Sequence, residues 1–123
     1  MTKIERFEDL QSWQKARVLA NTIYDLTENA RFSKDFHLRN QIQDAAGSIM
    51  HNIAEGFNAG TNPEFIRFLK ISRRSASEVQ SQLYLALDRK YITNDELNIA
   101  YSLATETKRF INGMIAYLRK SSS

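Results

Sequence analysis

Apolar residues return along the chain at steps of three and four, the period of a helix, and no stretch alternates with the period of two that marks a strand. Leu10, Trp13, Ala16, Ala20, Ile23 and Tyr24 share one side, which predicts a helix over about 10–27. Asn29 to Ser33 interrupt the pattern, and Ser33 is the expected cap of a second helix over 34–55. Its seam, Leu38, Ile42, Ala45, Ala46, Ile49 and Ile53, is narrow, and the alanines admit a close neighbour. Asp44, Ser48, His51 and Glu55 take the opposite face. The glycine-rich stretch Gly56 to Thr61 predicts the next loop. Asn62-Pro63-Glu64 reads as a capping side chain, a proline at the first helical position and an acid in the first turn.

That signal opens a third helix over 63–88, with the seam Phe65, Phe68, Leu69, Ser72, Ala76, Val79, Leu83, Ala86 and Leu87. Thr93-Asn94-Asp95-Glu96 has the form of a capping box and opens a fourth over 94–119. Arg119 and Lys120 suit its C-terminal end, and the serine tail beyond is expected to fray. Short links between long helices place neighbours side by side and antiparallel. The expected fold is all-α: one up-down-up-down antiparallel four-helix bundle over 1–123, with no internal repeat.

The fourth helix carries more apolar surface than one seam uses. Leu97, Ala100, Tyr101, Ala104, Ile111, Ile115 and Leu118 form its inward stripe. Ile99, Leu103, Phe110, Met114 and Tyr117 form a second, displaced by roughly 120° at 100° per residue. Leu19 and Leu26 on the first helix and Tyr84 and Leu85 on the third are smaller surpluses. Contiguous apolar surface of this kind predicts an interface between copies, with the second stripe as its centre.

Composition narrows the rest. At 123 residues, 42% hydrophobic and 25% charged, the chain is ordinary for a folded domain and long enough to bury a core. Without cysteine there is no disulfide, no thiolate zinc site and no thiol nucleophile. No apolar run nears the roughly 20 residues that span a bilayer. Met1 to Arg6 runs into charge, not into an apolar signal core, so a cytoplasmic protein without membrane contact is expected.

The formal net charge of +3 is a mild lean toward polyanions. The more suggestive basic feature is on the third helix, where Arg67, Lys70 and Arg74 recur at steps of three and four opposite the core seam, with Arg73 beside them. Guanidinium and ammonium groups in such a stripe match phosphates, so these four are the candidate nucleic-acid-binding residues. Glu64 and Glu78 partly offset them, and the alternative is a solvated face. Arg39, Arg89, Lys90, Lys108, Arg109, Arg119 and Lys120 add charge elsewhere.

Catalytic chemistry has little to stand on. His51 with Glu55 or Asp44 is too sparse for a metal, and the Glu-x-x-His pairs of di-iron bundles are absent. His37 follows Arg31 across a loop and a cap, and no phosphate-loop or nucleophile motif occurs. No cofactor, metal or catalytic residue is expected.

The segment Asn52-Ile53-Ala54-Glu55-Gly56-Phe57 supports a resemblance. With Phe7 to Leu10, Trp13, Ala16, Ile23-Tyr24, Leu38, Gln41-Ile42, Ala45-Ala46, Ser48-Ile49, Glu64-Phe65, Phe68-Leu69, Ser75, Glu78 and Tyr91-Ile92, the chain resembles the four-helix-bundle 23S ribosomal RNA intervening-sequence proteins over nearly its whole length. The resemblance implies a homopentameric, barrel-like ring. It also implies kinship with the accessory subunit of diversity-generating retroelements, a partner of nucleic acid and of a reverse transcriptase. It supplies no catalytic residue.

Gln43-Asp44 and Asn58-Ala59-Gly60 stand where members of that family often carry basic residues, whereas Arg73-Arg74 adds charge where many have glycine. Asn52 is expected to tie helices together or cap the following loop, and Glu55 to meet a neighbouring arginine. Together these readings lead to a non-enzymatic homo-oligomer, a pentamer on the resemblance, that binds RNA or DNA through basic surfaces. The alternative is a scaffold that docks a reverse transcriptase or another protein. A third reading, an endonuclease using His37 or His51, rests on the two imidazoles alone.

Overall fold

The computed structural model describes residues 4–121. Four helices are present, α1 (Gln11–Thr27), α2 (Phe36–Phe57), α3 (Asn62–Asp88) and α4 (Asn94–Lys120), with short 3-10 turns at Phe7–Asp9 and Phe32–Lys34 and no strand among the described residues. Each helix packs on the next, and α4 closes on α1. Cross-links show the antiparallel sense. Ser48 meets Ser75 (3.0 Å) and, one residue further along α2, the Ile49 carbonyl accepts from Ser72, three residues earlier on α3 (2.9 Å). The fold is therefore the all-α four-helix bundle that the periodicity predicts.

The core follows from the seams. Leu19, Ile23, Ile42, Ile49, Ile53, Leu69, Val79, Leu83 and Ile111 are fully buried. The α2–α3 contact is close because its residues are small: Ala45 and Ser48 face Ser75, Ser72 bonds the Ile49 carbonyl, and Asn52 donates to the Ser48 carbonyl (2.8 Å) and hydroxyl (3.0 Å). At Gly56 the two helices come closer still. A Cβ there would lie 2.8 Å from Phe65 Cδ1 and from Phe68 Cβ, and 3.3 Å from the Phe65 carbonyl oxygen. The loop that follows turns through Gly60, whose φ of +97° suits a residue without a side chain.

Local details differ from the sequence reading at several places, and Gly56 and Phe57, read as the start of the loop, belong to the last turn of α2. Ser33 lies inside the 3-10 turn and spends its hydroxyl on the Ala30 carbonyl, so α2 starts later, with Asp35 as cap accepting from Leu38 N–H (3.1 Å). Thr61, not Asn62, caps α3. Asn62 is the first helical residue, and its amide donates to the Leu118 carbonyl (3.2 Å) at the C-terminal end of α4, one of the carbonyls that a helix end leaves without a partner. Leu19, read as surplus, is wholly buried, because α1 must meet both α2 and α4 and needs a wider stripe than one seam. Tyr24 lies at the margin of that stripe and is exposed. The capping box at Thr93 and Glu96 forms as expected.

One end of the bundle is latched by its two turns. Asn29 donates to the Tyr91 carbonyl (2.7 Å) and the Leu26 carbonyl, and its own oxygen accepts from Phe32 N–H (2.7 Å) and Arg31 N–H. The Phe32 ring stacks on Tyr91 (5.2 Å between centroids), and the Tyr91 hydroxyl donates to Asp35 (2.9 Å). The Leu38 N–H first, and the Tyr91 hydroxyl second, hold the Asp35 carboxyl below its ordinary pKa.

Candidate nucleic-acid interface

On α3 the four candidate cations take two directions. Arg67, Lys70 and Arg74 are exposed on the outer surface. Arg67 is neutralised there. Its guanidinium forks onto Glu64 (3.1–3.3 Å) and lies over the Phe68 ring, 4.4 Å from the centroid. Lys70 and Arg74 have no carboxylate within ion-pair distance among the described residues, Glu78 included. Arg73 points the other way, toward α4, where it donates to Asn112 Oδ1 (2.8 Å) and is half-buried.

That side of α3 brings in a cation from a distant part of the sequence. Lys108 of α4 donates to Gln80 Oε1 (2.7 Å) and to Ser77 Oγ (3.2 Å). Gln80, itself buried, donates in turn to Thr105 Oγ1 (2.9 Å). The acceptors holding Arg73 and Lys108 are amide and hydroxyl oxygens, which fix the cations without cancelling their charge. Sequence reasoning placed Lys108 only among scattered charges. Gln80 carried a usable signal, a polar residue in phase with Ala76 and Leu83 on an apolar seam.

The opposite flank of α3 has the reverse character. Across the α2–α3 groove Gln41, Asp44 and Ser48 face Ser75, Glu78 and Gln82, with two carboxylates and no cation paired to either among the described residues. Asn52 does link this seam, through Ser48 and Ser75, whereas Glu55 is exposed and meets no arginine among the described residues.

The second apolar stripe flanks the α1–α4 seam. Ile99 and Tyr117 are each 60% exposed, and Leu103, Phe110 and Met114 are half-buried. Ile4, Leu10, Phe110, Met114 and Tyr117 line a shallow groove at one end of it. The ion pair Lys15–Glu106 (2.6 Å) crosses the seam, and the Lys15 ammonium holds the Glu106 carboxyl below its ordinary pKa.

His37 and His51 are both exposed on α2. Arg31, which precedes His37 across the turn, lies over the Tyr91 ring (6.0 Å). Among the described residues no three His, Asp or Glu side chains gather as a metal cage, and no helix is long and apolar enough to cross a membrane.

The fold and its surface thus define a four-helix bundle with cations on and beside α3 and an apolar flank on α4. The chain belongs to the 23S rRNA-intervening sequence protein family, whose model matches residues 8–113. It is similar to a protein of unknown function from the S23 ribosomal protein family of Bacteroides thetaiotaomicron VPI-5482. That structure superposes with a TM-score of 0.79 at 25% identity, covering 85% of this chain and 95% of the other. No curated protein matches the chain.

Proposed function

We propose that the protein is a non-enzymatic, self-assembling RNA-binding bundle that holds phosphates beside α3. The observation that supports this reading is the set of cations on α3 and its α4 neighbour, Lys70, Arg73, Arg74 and Lys108, that have no carboxylate partner among the described residues. A guanidinium already paired with a carboxylate gains little from a phosphate, whereas an uncompensated one gains the full charge-assisted bond. Membership in a family named for ribosomal RNA inserts points to RNA as the polyanion.

The test is an RNA-binding titration of the purified protein across a salt series. Neutralising four phosphates on a single strand should give a slope of log K against log salt of about −3. Absence of binding at low salt would overturn the reading and move attention to a protein partner, a reverse transcriptase among them.

Self-association would use the α1–α4 flank, where Ile99, Leu103, Phe110, Met114 and Tyr117 leave an apolar stripe exposed or half-buried. A closed ring, five-membered as the family resemblance implies, would repeat the modest charge of each protomer around one assembly. Charge at the centre of that face, Phe110→Glu with Met114→Glu, is expected to reduce the solution mass to that of a monomer while the helical content is kept. An unchanged oligomer mass in light scattering would place the interface elsewhere.

A further inference from the structure

We infer that the groove between α3 and α4 is a track for a single strand of nucleic acid, with phosphates on Arg73 and Lys108 and a base on Tyr84. The inference rests on the RNA-binding reading and adds to it a location, a strandedness and an aromatic contact.

The groove is built from successive cross-rungs. Arg73 meets Asn112, Ser77 meets Lys108, Gln80 meets Thr105, and Tyr84 meets Tyr101, with ring centroids 5.7 Å apart and planes at 69°. Along α3 these rungs step by three or four residues, about one turn or 4.5–6 Å each, and the whole run rises about 16 Å. That spacing suits consecutive nucleotides of an extended strand. The first two rungs supply cations, the third neutral donors and acceptors, and the fourth an aromatic surface. Backbone cations followed by a stacking platform is the chemistry that recognises single strands.

Three features favour this groove over the rest of the surface. The cations are partly covered and held by neutral oxygens, so they are oriented before a ligand arrives. Tyr84 is 51% exposed, and its edge-to-face contact with Tyr101 steadies the ring while leaving part of its surface open to a base. The outer stripe loses Arg67 to Glu64, and the α2–α3 groove on the other flank presents Asp44 and Glu78, which repel phosphate. A duplex has its base faces already stacked inside and offers nothing to Tyr84. A single strand offers phosphate and base together.

The experiment measures fluorescence anisotropy of labelled oligouridine with the full-length protein, beside the same strand in a duplex and a strand carrying abasic sites. The single strand is expected to bind more tightly than the duplex. Arg73→Gln and Lys108→Gln, which keep polar side chains in the groove, should each weaken it and reduce the salt slope by about 0.7. Tyr84→Ala should weaken binding by about five-fold or more, with Tyr84→Phe near the native value, and should lose its effect on the abasic strand. Arg67→Gln should change little. Thermal melts of each variant establish that the bundle is intact.

RNA binding that survives Arg73→Gln, Lys108→Gln and Tyr84→Ala, or that prefers duplex, would overturn the groove assignment while leaving the RNA-binding reading in place. Failure of the native chain to bind either form would overturn both.

Discussion

Phe32→Ala is expected to destabilise the bundle by about 3–5 kcal/mol, the cost of emptying a large, fully buried aromatic site. The ring closes the end of the core beneath the α1–α2 turn and stacks on Tyr91 of the α3–α4 turn, so its loss uncouples two segments that are far apart in sequence. Against a typical total stability of about 5–15 kcal/mol, the variant should sit near the edge of folding at growth temperature. Chemical denaturation measures it. Tyr91→Phe separates the polar part, because it keeps the stack and removes only the hydroxyl bond to Asp35, and should cost about 1 kcal/mol. A Phe32→Ala loss no larger than that of Tyr91→Phe would show that the turn relaxes into the space.

The second large effect is at Gly56, where alanine is expected to destabilise by about 1–3 kcal/mol although the site is helical. Helix propensity alone favours alanine over glycine by about 1 kcal/mol. Here the added carbon would fall within 2.8 Å of both Phe65 and Phe68, beside the Phe65 backbone, so α3 would have to move away from α2. Gly47→Ala is the internal control. Its new carbon would meet only the His51 ring, at the ordinary distance of 3.7 Å, and should stabilise by about 0.5–1 kcal/mol. Opposite signs for the same chemical change on one helix would show that close approach, not backbone preference, fixes glycine at the end of the Asn52 to Gly56 segment. A gain in stability for Gly56→Ala would refute it.

The latch at the end of the bundle shows what periodicity could and could not reveal. Asn29 to Ser33 stood out as a break between helices, and Tyr91-Ile92 as part of the family resemblance. Nothing local joined them, because Asn29 and Tyr91 meet across 62 positions of sequence. The choice of Asp35 over Ser33 as cap followed from the same turn, which engages the serine hydroxyl before α2 begins. Phe32 and Phe36 show the same limit. Both are phenylalanines near the start of α2, yet one is fully buried and the other 63% exposed with Arg39 over its ring.

The candidate interface divides in the same way. That α3 carries a basic stripe was legible, because residues at steps of three and four share a helix face whatever surrounds it. Which cations keep their charge was not. Arg67 is matched by Glu64 within its own helix, a pairing the spacing allowed, whereas the sequence paired Arg74 equally well with Glu78 and the structure does not. Arg73 and Lys108 acquire their neutral partners from across the α3–α4 seam, 39 and 28–31 positions away.

By itself, then, the sequence determined four amphipathic helices, their approximate ends, their antiparallel order and the presence of positive charge on the third, all consequences of short-range periodicity, turn chemistry and link length. The tertiary structure alone decided which aromatic closes the core, which glycine admits a neighbouring helix, and which cations stand uncompensated in a common groove. Those outcomes depend on how close two helices approach and on which side chains meet across the seam, and neither distance is encoded in the spacing of residues along one helix.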